Sequence, residues 1–327
     1  MVLAAPSDEF ADNFYKNLSK KYDVKDMGQP AYVIGVRVSF DSESVKFTQD
    51  RYISDLCAQH KPGMAPTSTP AAPNVTLCAS GIHKQDDSPL IPDPTVYRSL
   101  VGGLMYTLIT RPDVATAVSV CARYVQAPRQ AHLDAAKRIL RFLHHTRERP
   151  LVYTVCGNVL VKAFVDSSWG NDVDTRRSRF GYAIYVGKSL VAWCSKLHPA
   201  LAMSSAEAEY TAATEAVKSI KWIVSLMSFL GAKPQTPVSV YEDNTACRIM
   251  AASTRVSGRN KHFELRQHFV RNQVSLGLIK LLSVNTKDQI ADIFTKPTVR
   301  PVFEKHATAL LQGLPDNFNG PTVEGGC

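Results

Sequence analysis

Four acidic side chains in the second half of the sequence have the type and spacing needed for metal-dependent hydrolysis: Asp166, Glu209, Asp243 and Asp292. Asp166 ends an alternating apolar run and Asp243 follows a short β-branched run, so both are predicted at the carboxyl ends of strands, where open α/β sheets place ligand-binding groups. Converging carboxylates repel each other unless cations neutralise them, which points to a hard divalent ion, Mg²⁺ first. Each acid alone is more simply explained as a turn, cap or surface residue, but the four together favour a metal site.

Glu209 is the acid whose position most needs an explanation. It lies near the start of a long helix predicted to begin at Ser204 or Ser205. Helical steps from Glu207 reach mostly polar residues, whereas steps from Glu209 reach a mostly apolar stripe: Ala213, Ala216, Ile220, Ile223 and Met227. Glu209 is therefore predicted to face the sheet, where a carboxylate is costly unless it is paired, protonated or bound to a cation.

The elements that must position these acids follow a β-β-β-α-β-α order. Alternating or β-branched runs predict strands at 159–166, 179–186, 190–195, 238–242 and 279–284, and the first three are predicted to form an antiparallel meander. Asp292, set among apolar neighbours, is predicted on a last helix that opens with a capping box at Thr286 and Gln289 and closes at Pro297.

The first half of the chain has a different character. Helical patterns at 7–22 and 49–60 flank a β-hairpin signal at 29–48. A proline-rich stretch without periodicity, 61–93, is predicted as a connector, and helical patterns resume over 94–150.

Composition sets limits on the class of protein. The 327 residues are 45% hydrophobic and 20% charged, which is typical of a globular protein. Seven scattered cysteines without a C-x-x-C pair argue against a disulfide framework or a zinc site, and no apolar run is long enough for a membrane span. The net charge of +9 favours a polyanionic partner, and we expect an intracellular setting.

Several motifs carry a family resemblance. FVDSSWGNDVDTRRSRFGY, SSAEAEYTAATEA, VYEDNTA and DQIADIFTKP resemble the ribonuclease H domain at the end of the polymerase polyprotein of copia-type LTR retrotransposons. YRSLVGGLMYTLITRPDVATAVS and HLDAAKRILRFLHHT resemble the connection region before it, and KYDVKDMGQPAYVIGVRV resembles the end of the reverse transcriptase palm. The motifs occur in the family's order and cover about Phe10 to Pro297.

The resemblance implies an α/β fold. We expect a ribonuclease H-like mixed five-stranded sheet with flanking helices, preceded by a mostly helical thumb and connection region with a β-hairpin. The implied division is a palm and thumb remnant at 1–60, the connector at 61–93, a connection region at 94–150, the ribonuclease H-like domain at 151–297, and a C-terminal helix and disordered tail at 298–327.

The resemblance also implies an activity, which is hydrolysis of the RNA strand of RNA:DNA hybrids by two Mg²⁺ ions, with Mn²⁺ as a possible substitute. Asp166 would bridge both ions, Glu209 and Asp243 would complete the leaving-group site, and Asp292 would belong to the site that activates water. The missing upstream part of the reverse transcriptase is an expected partner. A cytoplasmic virus-like particle or the nucleus is the expected location, and no membrane is expected.

The basic residues suggest where a hybrid would bind. From Asn158 to Pro297 there are 18 Lys and Arg against 11 Asp and Glu, despite the acid cluster. Candidates for contacts with the nucleic-acid backbone are Arg176, Arg177, Arg179, Arg259, Lys261 and Arg266. Each of them alone is better explained as a solvated side chain than as a contact with nucleic acid.

The sequence departs from the family pattern in four ways, one of which is Leu133 where the family often has Trp. The Tyr-x-Asp-Asp turn of the polymerase is missing, so no DNA synthesis is expected from this chain alone. Ser168 stands where the family often has a second Asp. The loop 283–287 lacks the histidine that many ribonucleases H keep there, for which His262 or His268 are possible substitutes.

Two alternatives to an active hybrid nuclease stay open. One is a truncated, catalytically silent fragment that only binds nucleic acid, which the missing polymerase half and loop histidine favour. The other is an integrase-like nuclease, which is disfavoured because its acids follow a different order.

Overall fold

The computed structural model describes residues 7–315 apart from 74, 80–87, 156, 158 and 254–260, together with residues 3, 5 and 318; for residues 261–264 it describes only the backbone. The α-helices are α1 (Asp8–Ser19), α2 (Asp50–His60), α3 (Pro94–Thr107), α4 (Ala115–Cys121), α5 (Gln130–His145), α6 (Ser205–Phe229), α7 (Thr245–Ala252), α8 (Lys261–Ser275) and α9 (Arg300–Gln312). The strands are β1 (Tyr32–Val33), β2 (Val36–Phe40), β3 (Ser44–Thr48), β4 (Leu151–Thr154), β5 (Val161–Ser168), β6 (Arg179–Val186), β7 (Ser189–Leu197), β8 (Val238–Glu242) and β9 (Ile279–Ser283). Within these described ranges, no helix is both long and apolar enough to cross a membrane.

The first sheet is antiparallel, with the strand order β1-β2-β3-β4. The predicted hairpin is confirmed, because β2 pairs with β3 and Asp41 closes their turn by accepting hydrogen bonds from the backbone N–H of Glu43 (3.0 Å) and Ser44 (2.7 Å). β4 joins β3 although α2 to α5 lie between them in sequence. This pairing ties the start of the region 151–297 to the hairpin, while the division into domains stays a prediction.

The second sheet has five strands in the order β7-β6-β5-β8-β9. β5, β6 and β7 form the predicted antiparallel meander, and β8 and β9 join in parallel orientation. The mixed five-stranded α/β sheet expected from the sequence is therefore confirmed. Because β5 is central and parallel to β8, their carboxyl ends meet at one edge of the sheet.

Both faces of the second sheet are covered. On one face, Val161, Ala163 and Val165 of β5 belong to a core that includes Ile220 of α6. On the other face, Phe164 belongs to a core that continues into α3, α4, α5 and α9. A strand buried on both faces holds its side chains in fixed positions, which matters for the acid that β5 carries.

The segment predicted as one helix, 286–297, differs from expectation. It forms two short 3-10 helices, Thr286–Asp288 and Ile290–Phe294, separated by Gln289, whose backbone is extended (φ −72°, ψ 93°). A continuous α-helix would need helical dihedrals at Gln289. The predicted helix with its capping box is therefore wrong, and Asp292 lies on a 3-10 helix.

Two side-chain hydrogen bonds explain this difference. Gln289 Nε2 donates to the carbonyl oxygen of Val165 (2.8 Å), and Thr286 Oγ1 donates to Asp243 Oδ2 (2.9 Å). A capping box would use the same two side chains for the N–H groups of the helix itself. Here they tie the segment to the edge of the sheet where β5 and β8 end.

Gly181 on β6 permits the close approach of the 3-10 helix that carries Asp292. A Cβ atom at position 181 would overlap the Cβ of Phe294 and lie 3.2 Å from the carbonyl oxygen of Cys194. We expect Gly181→Ala to lower the free energy of unfolding by about 1–3 kcal/mol, because the overlap can be relieved only by moving backbone.

Thermal unfolding of Gly181→Ala beside the wild type measures this effect. Gly102→Ala is the matched control, because a Cβ at Gly102 would meet nothing within 4 Å. A Gly181→Ala protein as stable as the control would show that the 3-10 helix is not packed tightly on β6.

Candidate metal centre

Three carboxylates meet at the edge of the five-stranded sheet. Asp166 belongs to β5, Asp243 directly follows β8, and Glu209 lies in the first turns of α6. One oxygen from each of the three lies within 4.8 Å of the others. The structure thus brings together three of the four acids that the sequence singled out, and their role as metal ligands stays a prediction.

The start of α6 separates the two glutamates as the helical pattern predicted. The N-cap residue Ser204 accepts a hydrogen bond from the Glu207 N–H (3.2 Å), and the Glu207 carboxylate accepts one from the Met203 N–H (2.9 Å). Glu207 thereby caps the helix. Glu209, two residues further on, points inward and is only 6% exposed.

Asp292 lies beside this group rather than within it. It is buried, and its Oδ1 forms an ion pair with Lys296 Nζ at 2.9 Å. Thr295 connects Asp292 with Asp166, because its hydroxyl group donates a hydrogen bond to Asp166 Oδ2 and also contacts the Asp292 carbonyl oxygen (3.1 Å). Asp292 is near enough to act electrostatically on Asp166, although it is not one of the three acids whose oxygens converge.

The carboxylates are held in a site that disfavours their charge. Burial, and then the charge of Asp292, raises the pKa of Asp166 to about 7. Burial, and then the charges of Glu242 and Asp166, raises the pKa of Glu209 well above its usual value. Lys296 responds in the opposite sense: burial lowers its pKa, but the nearby carboxylates Asp166 and Asp292 outweigh burial and raise it. The cluster therefore favours protons or cations, which remove the repulsion.

Sequence reasoning missed one member of the acid cluster, Glu242. This last residue of β8 is fully buried, and burial raises its pKa to about 8. Its Oε1 accepts a hydrogen bond from the Asn244 N–H (3.0 Å), while its Oε2 has no hydrogen-bond partner among the described residues. The sequence did contain one indication, because Glu242 directly precedes Asp243 at the end of the predicted strand. Successive side chains of a strand point to opposite faces, so a role had to be found for both carboxylates.

We expect Glu242→Gln to raise the thermal stability of the metal-free protein at about pH 8 by a few degrees, because it removes one of several buried like charges. The glutamine oxygen can still accept the bond from Asn244. Thermal unfolding in a chelator measures the change, and Glu215→Gln on the accessible side of α6 is the control. A Glu242→Gln melting temperature at or below that of the wild type would contradict the repulsion that we infer.

The histidines are placed differently from expectation. The side chain of His262 lies outside the described residues, and His268 is exposed on α8. Two other histidines are buried near the acids. His198 shares a hydrogen bond with Ser167 beside Asp166 (3.1 Å), and burial lowers its pKa to about 4. His306 of α9 is fully buried, which lowers its pKa although the charge of Asp292 opposes this.

Among the described residues, the candidates for backbone contacts do not form one surface. Arg176 and Arg177 are exposed in the loop between β5 and β6. Arg266 is half-buried and donates to Thr211 Oγ1 (3.2 Å). Arg179 is buried and its Nη1 donates to Ser119 Oγ (2.8 Å), so it faces inward. The side chain of Lys261 and the whole of Arg259 lie outside the described residues.

Fold and site together define an α/β protein with a candidate divalent-metal centre at one edge of a mixed sheet. No protein-family model matches the chain. The retrovirus-related Pol polyprotein from transposon RE1 of Arabidopsis thaliana is 34% identical over 299 residues, which are 91% of this chain and 20% of that protein. The putative transposon Ty5-1 protein of Saccharomyces cerevisiae is 32% identical over 223 residues, 67% of this chain and 71% of that protein.

The chain belongs to the family of retrovirus-related Pol polyproteins from copia-type LTR retrotransposons. It spans only about a fifth of the length of the RE1 polyprotein. Among solved structures, RNase H1 from the archaeon Halobacterium salinarum aligns with 41% of this chain and 93% of its own, at 14% identity and a TM-score of 0.30. At that score the assignment to the family rests on the sequence relatives.

Proposed function

We propose that this chain is a retrotransposon ribonuclease H that hydrolyses the RNA strand of RNA:DNA hybrids with two divalent cations. The observation that carries the proposal is the convergence of Asp166, Glu209 and Asp243 within 4.8 Å at the sheet edge. Membership of the Pol polyprotein family supports a nucleic-acid substrate.

The donor atoms fit Mg²⁺, with Mn²⁺ as a substitute. All are carboxylate oxygens, the ligands that hard divalent ions prefer. Glu209 Oε2 is buried and has no hydrogen-bond partner among the described residues, so it is left unsatisfied unless a proton or a cation binds it. Asp166, Glu209 and Asp243 would hold one ion, and Asp166 with Asp292 would hold the second. When bound, such ions lower the pKa of a water molecule and neutralise charge on the scissile phosphate and the leaving oxygen.

The residues around the centre would bind and orient the substrate. Lys296 pairs with Asp292 at 2.9 Å, so it becomes available to a substrate phosphate once Asp292 binds a cation instead. Arg176 and Arg177 are exposed in the loop after β5 and would contact the nucleic-acid backbone, which fixes position without reading sequence. Contacts with the 2′-hydroxyl groups would distinguish the RNA strand from DNA.

Cleavage of end-labelled substrates by the purified full chain tests the proposal. With millimolar Mg²⁺ or Mn²⁺ we expect cuts in the RNA strand of an RNA:DNA hybrid, none in double-stranded DNA or double-stranded RNA, and none with a chelator. Glu209→Gln should abolish cleavage, whereas Glu207→Gln, two residues away on the same helix, should retain it. Hybrid binding without cleavage in either metal would reject the enzyme and leave the silent binding fragment.

A further inference from the structure

A cavity of about 670 Å³ lies where the connector, α4 and α5 meet the second sheet. Its walls come from the connector (70–73 and 75–77), from α4 and α5, and from the loop 171–173 after β5. Lys296, the ion-pair partner of Asp292, also lines it, so the cavity reaches the neighbourhood of the candidate metal centre. This volume lies within the range of roughly 300–1,000 Å³ that is typical of ligand-binding pockets.

The charge of the cavity is strongly positive. Five basic side chains line it against two acidic ones, Asp134 and Asp172. Asp172 is already paired with Arg123, and Asp134 accepts a hydrogen bond from Gln130 Nε2 (2.9 Å). Within the described part of the chain, Arg138 and Arg141 form no ion pair with any carboxylate.

Arg138 and Arg141 place two positive charges close together on α5. They are three residues apart on one helix face, where like charges repel each other. Their outer nitrogens bond to the connector: Arg138 Nη2 donates to Thr69 Oγ1 (3.2 Å) and Arg141 Nη1 donates to the Pro62 carbonyl oxygen (2.9 Å). The Nε atoms of both are buried without a hydrogen-bond partner among the described residues. Burial, and then the charge of Arg141, lowers the pKa of Arg138.

We propose that this cavity binds the terminal 5′-phosphate of a nucleic-acid strand, with Arg138 and Arg141 as its counter-charges. A phosphomonoester carries a charge of about −1.5 to −2 at neutral pH and three acceptor oxygens, which two unpaired guanidinium groups can satisfy. Apolar side chains, among them Leu77, Val120 and Ile139, leave room for the attached nucleoside. The end of a strand can be bound in a cavity with a single opening. An internal nucleotide would need room for the strand on both of its sides, so a terminal phosphate fits this cavity better.

The source of this ligand rests on the proposed function. In that reaction the oxygen of water attacks phosphorus and the bond from phosphorus to the 3′ oxygen breaks. The departing oxygen takes up a proton. The products are a 3′-hydroxyl end and a 5′-phosphate end, so each cut creates the group that the cavity would bind.

Fluorescence anisotropy of the full chain tests the proposal in a chelator, where no cleavage occurs. The probes are one short oligoribonucleotide, labelled at its 3′ end, with either a 5′-phosphate or a 5′-hydroxyl. We expect the 5′-phosphate to tighten binding by about fivefold or more, as a charge-assisted contact should. 5′-AMP should displace the phosphorylated strand, whereas adenosine should not. Displacement by AMP without any difference between the two strands would assign the cavity to free nucleotides and overturn the strand-end proposal.

Matched variants separate the cavity from general electrostatics. Arg138→Gln with Arg141→Gln should remove the preference for the 5′-phosphate, and replacing both by lysine should restore most of it. Lys137→Gln with Arg147→Gln changes the net charge equally but does not alter the cavity, so the preference should survive. Equal loss in both glutamine doubles would overturn the proposal.

Two further variants keep the result interpretable. Ala135→Trp should fill the cavity and remove the preference without changing any charge, and a preference that survives it in a folded protein overturns the proposal. Asp166→Asn should keep the preference although it removes cleavage. Cleavage by a wild type without a 5′-phosphate preference would reject this inference and leave the proposed function intact. A preference for the 5′-phosphate in a wild type that does not cleave hybrids would support this inference and reject the proposed function.

Discussion

Asp166→Asn should lower the rate of hybrid cleavage by at least about 10³-fold, a loss typical of removing a group that acts within a catalytic unit. Asp166 is the central acid of the cluster. One of its carboxylate oxygens lies within 4.8 Å of an oxygen of Glu209 and of an oxygen of Asp243. The charge of Asp292 also acts on Asp166 and raises its pKa. An amide in its place has no charge with which to hold a cation. Single-turnover cleavage of a labelled hybrid measures the loss without a contribution from product release.

The same substitution should stabilise the metal-free fold, and this opposite effect separates a catalytic loss from misfolding. The pKa of Asp166 is about 7, so ionising this carboxyl costs the folded state stability. At about pH 8 the gain on removing that charge is on the order of 2–4 kcal/mol. The asparagine oxygen can still accept the hydrogen bond from the Thr295 hydroxyl.

Thermal unfolding in a chelator checks the second half of this prediction. Asp172→Asn serves as a contrast, because it breaks the ion pair with Arg123 and should lower stability. An Asp166→Asn protein that is inactive and also less stable than the wild type would contradict this prediction. It would mean that the Asp166 carboxylate stabilises the fold instead of destabilising it.

The parts of the site that depend on local periodicity were predictable from the sequence. Alternation over 159–166 placed Asp166 near the end of a strand, and the helical stripe separated the buried Glu209 from Glu207. Both conclusions needed only the direction of a side chain within one element. The sheet followed as well, because each of its strands has a clear β-type pattern.

What the sequence did not reveal depends on contacts between distant segments. Gln289 looked like part of a capping box, but its bond to the Val165 carbonyl makes the chain extend there. Glu242 looked like an ordinary residue of a strand end, and only the folded structure shows that its side chain is buried and near enough to Glu209 of α6 to act on it electrostatically. Arg179 looked like a surface base, but it points into the space between β6, β7 and α4, where the hydroxyl groups of Ser119 and Ser195 accept hydrogen bonds from it. None of these partners is near in sequence.

The second large effect concerns metal and pH together. Without divalent cations, the contribution of the buried carboxyl groups to stability should fall as the pH rises from about 5 to about 8. The pKa of Asp166 is about 7 and that of Glu242 about 8, both above the ordinary carboxyl value of about 4 that applies in the unfolded chain. Between these values the folded state binds more protons than the unfolded state, so the free energy of unfolding falls with rising pH. The contribution is complete below about pH 4 and is lost as the pH passes the folded pKa values.

Saturating Mg²⁺ should reverse this trend, because a cation binds the ionised carboxylates and competes with the protons. We therefore expect Mg²⁺ to raise the melting temperature by several degrees at about pH 8 and by much less at about pH 5. Asp166→Asn should lose most of the response to Mg²⁺ at both pH values, whereas Glu207→Gln should keep it. An equal rise at both pH values, or one that persists in Asp166→Asn, would place the cation away from Asp166. Carboxylate repulsion would then be only a cost to the fold, and the metal centre would have to be sought elsewhere on the chain.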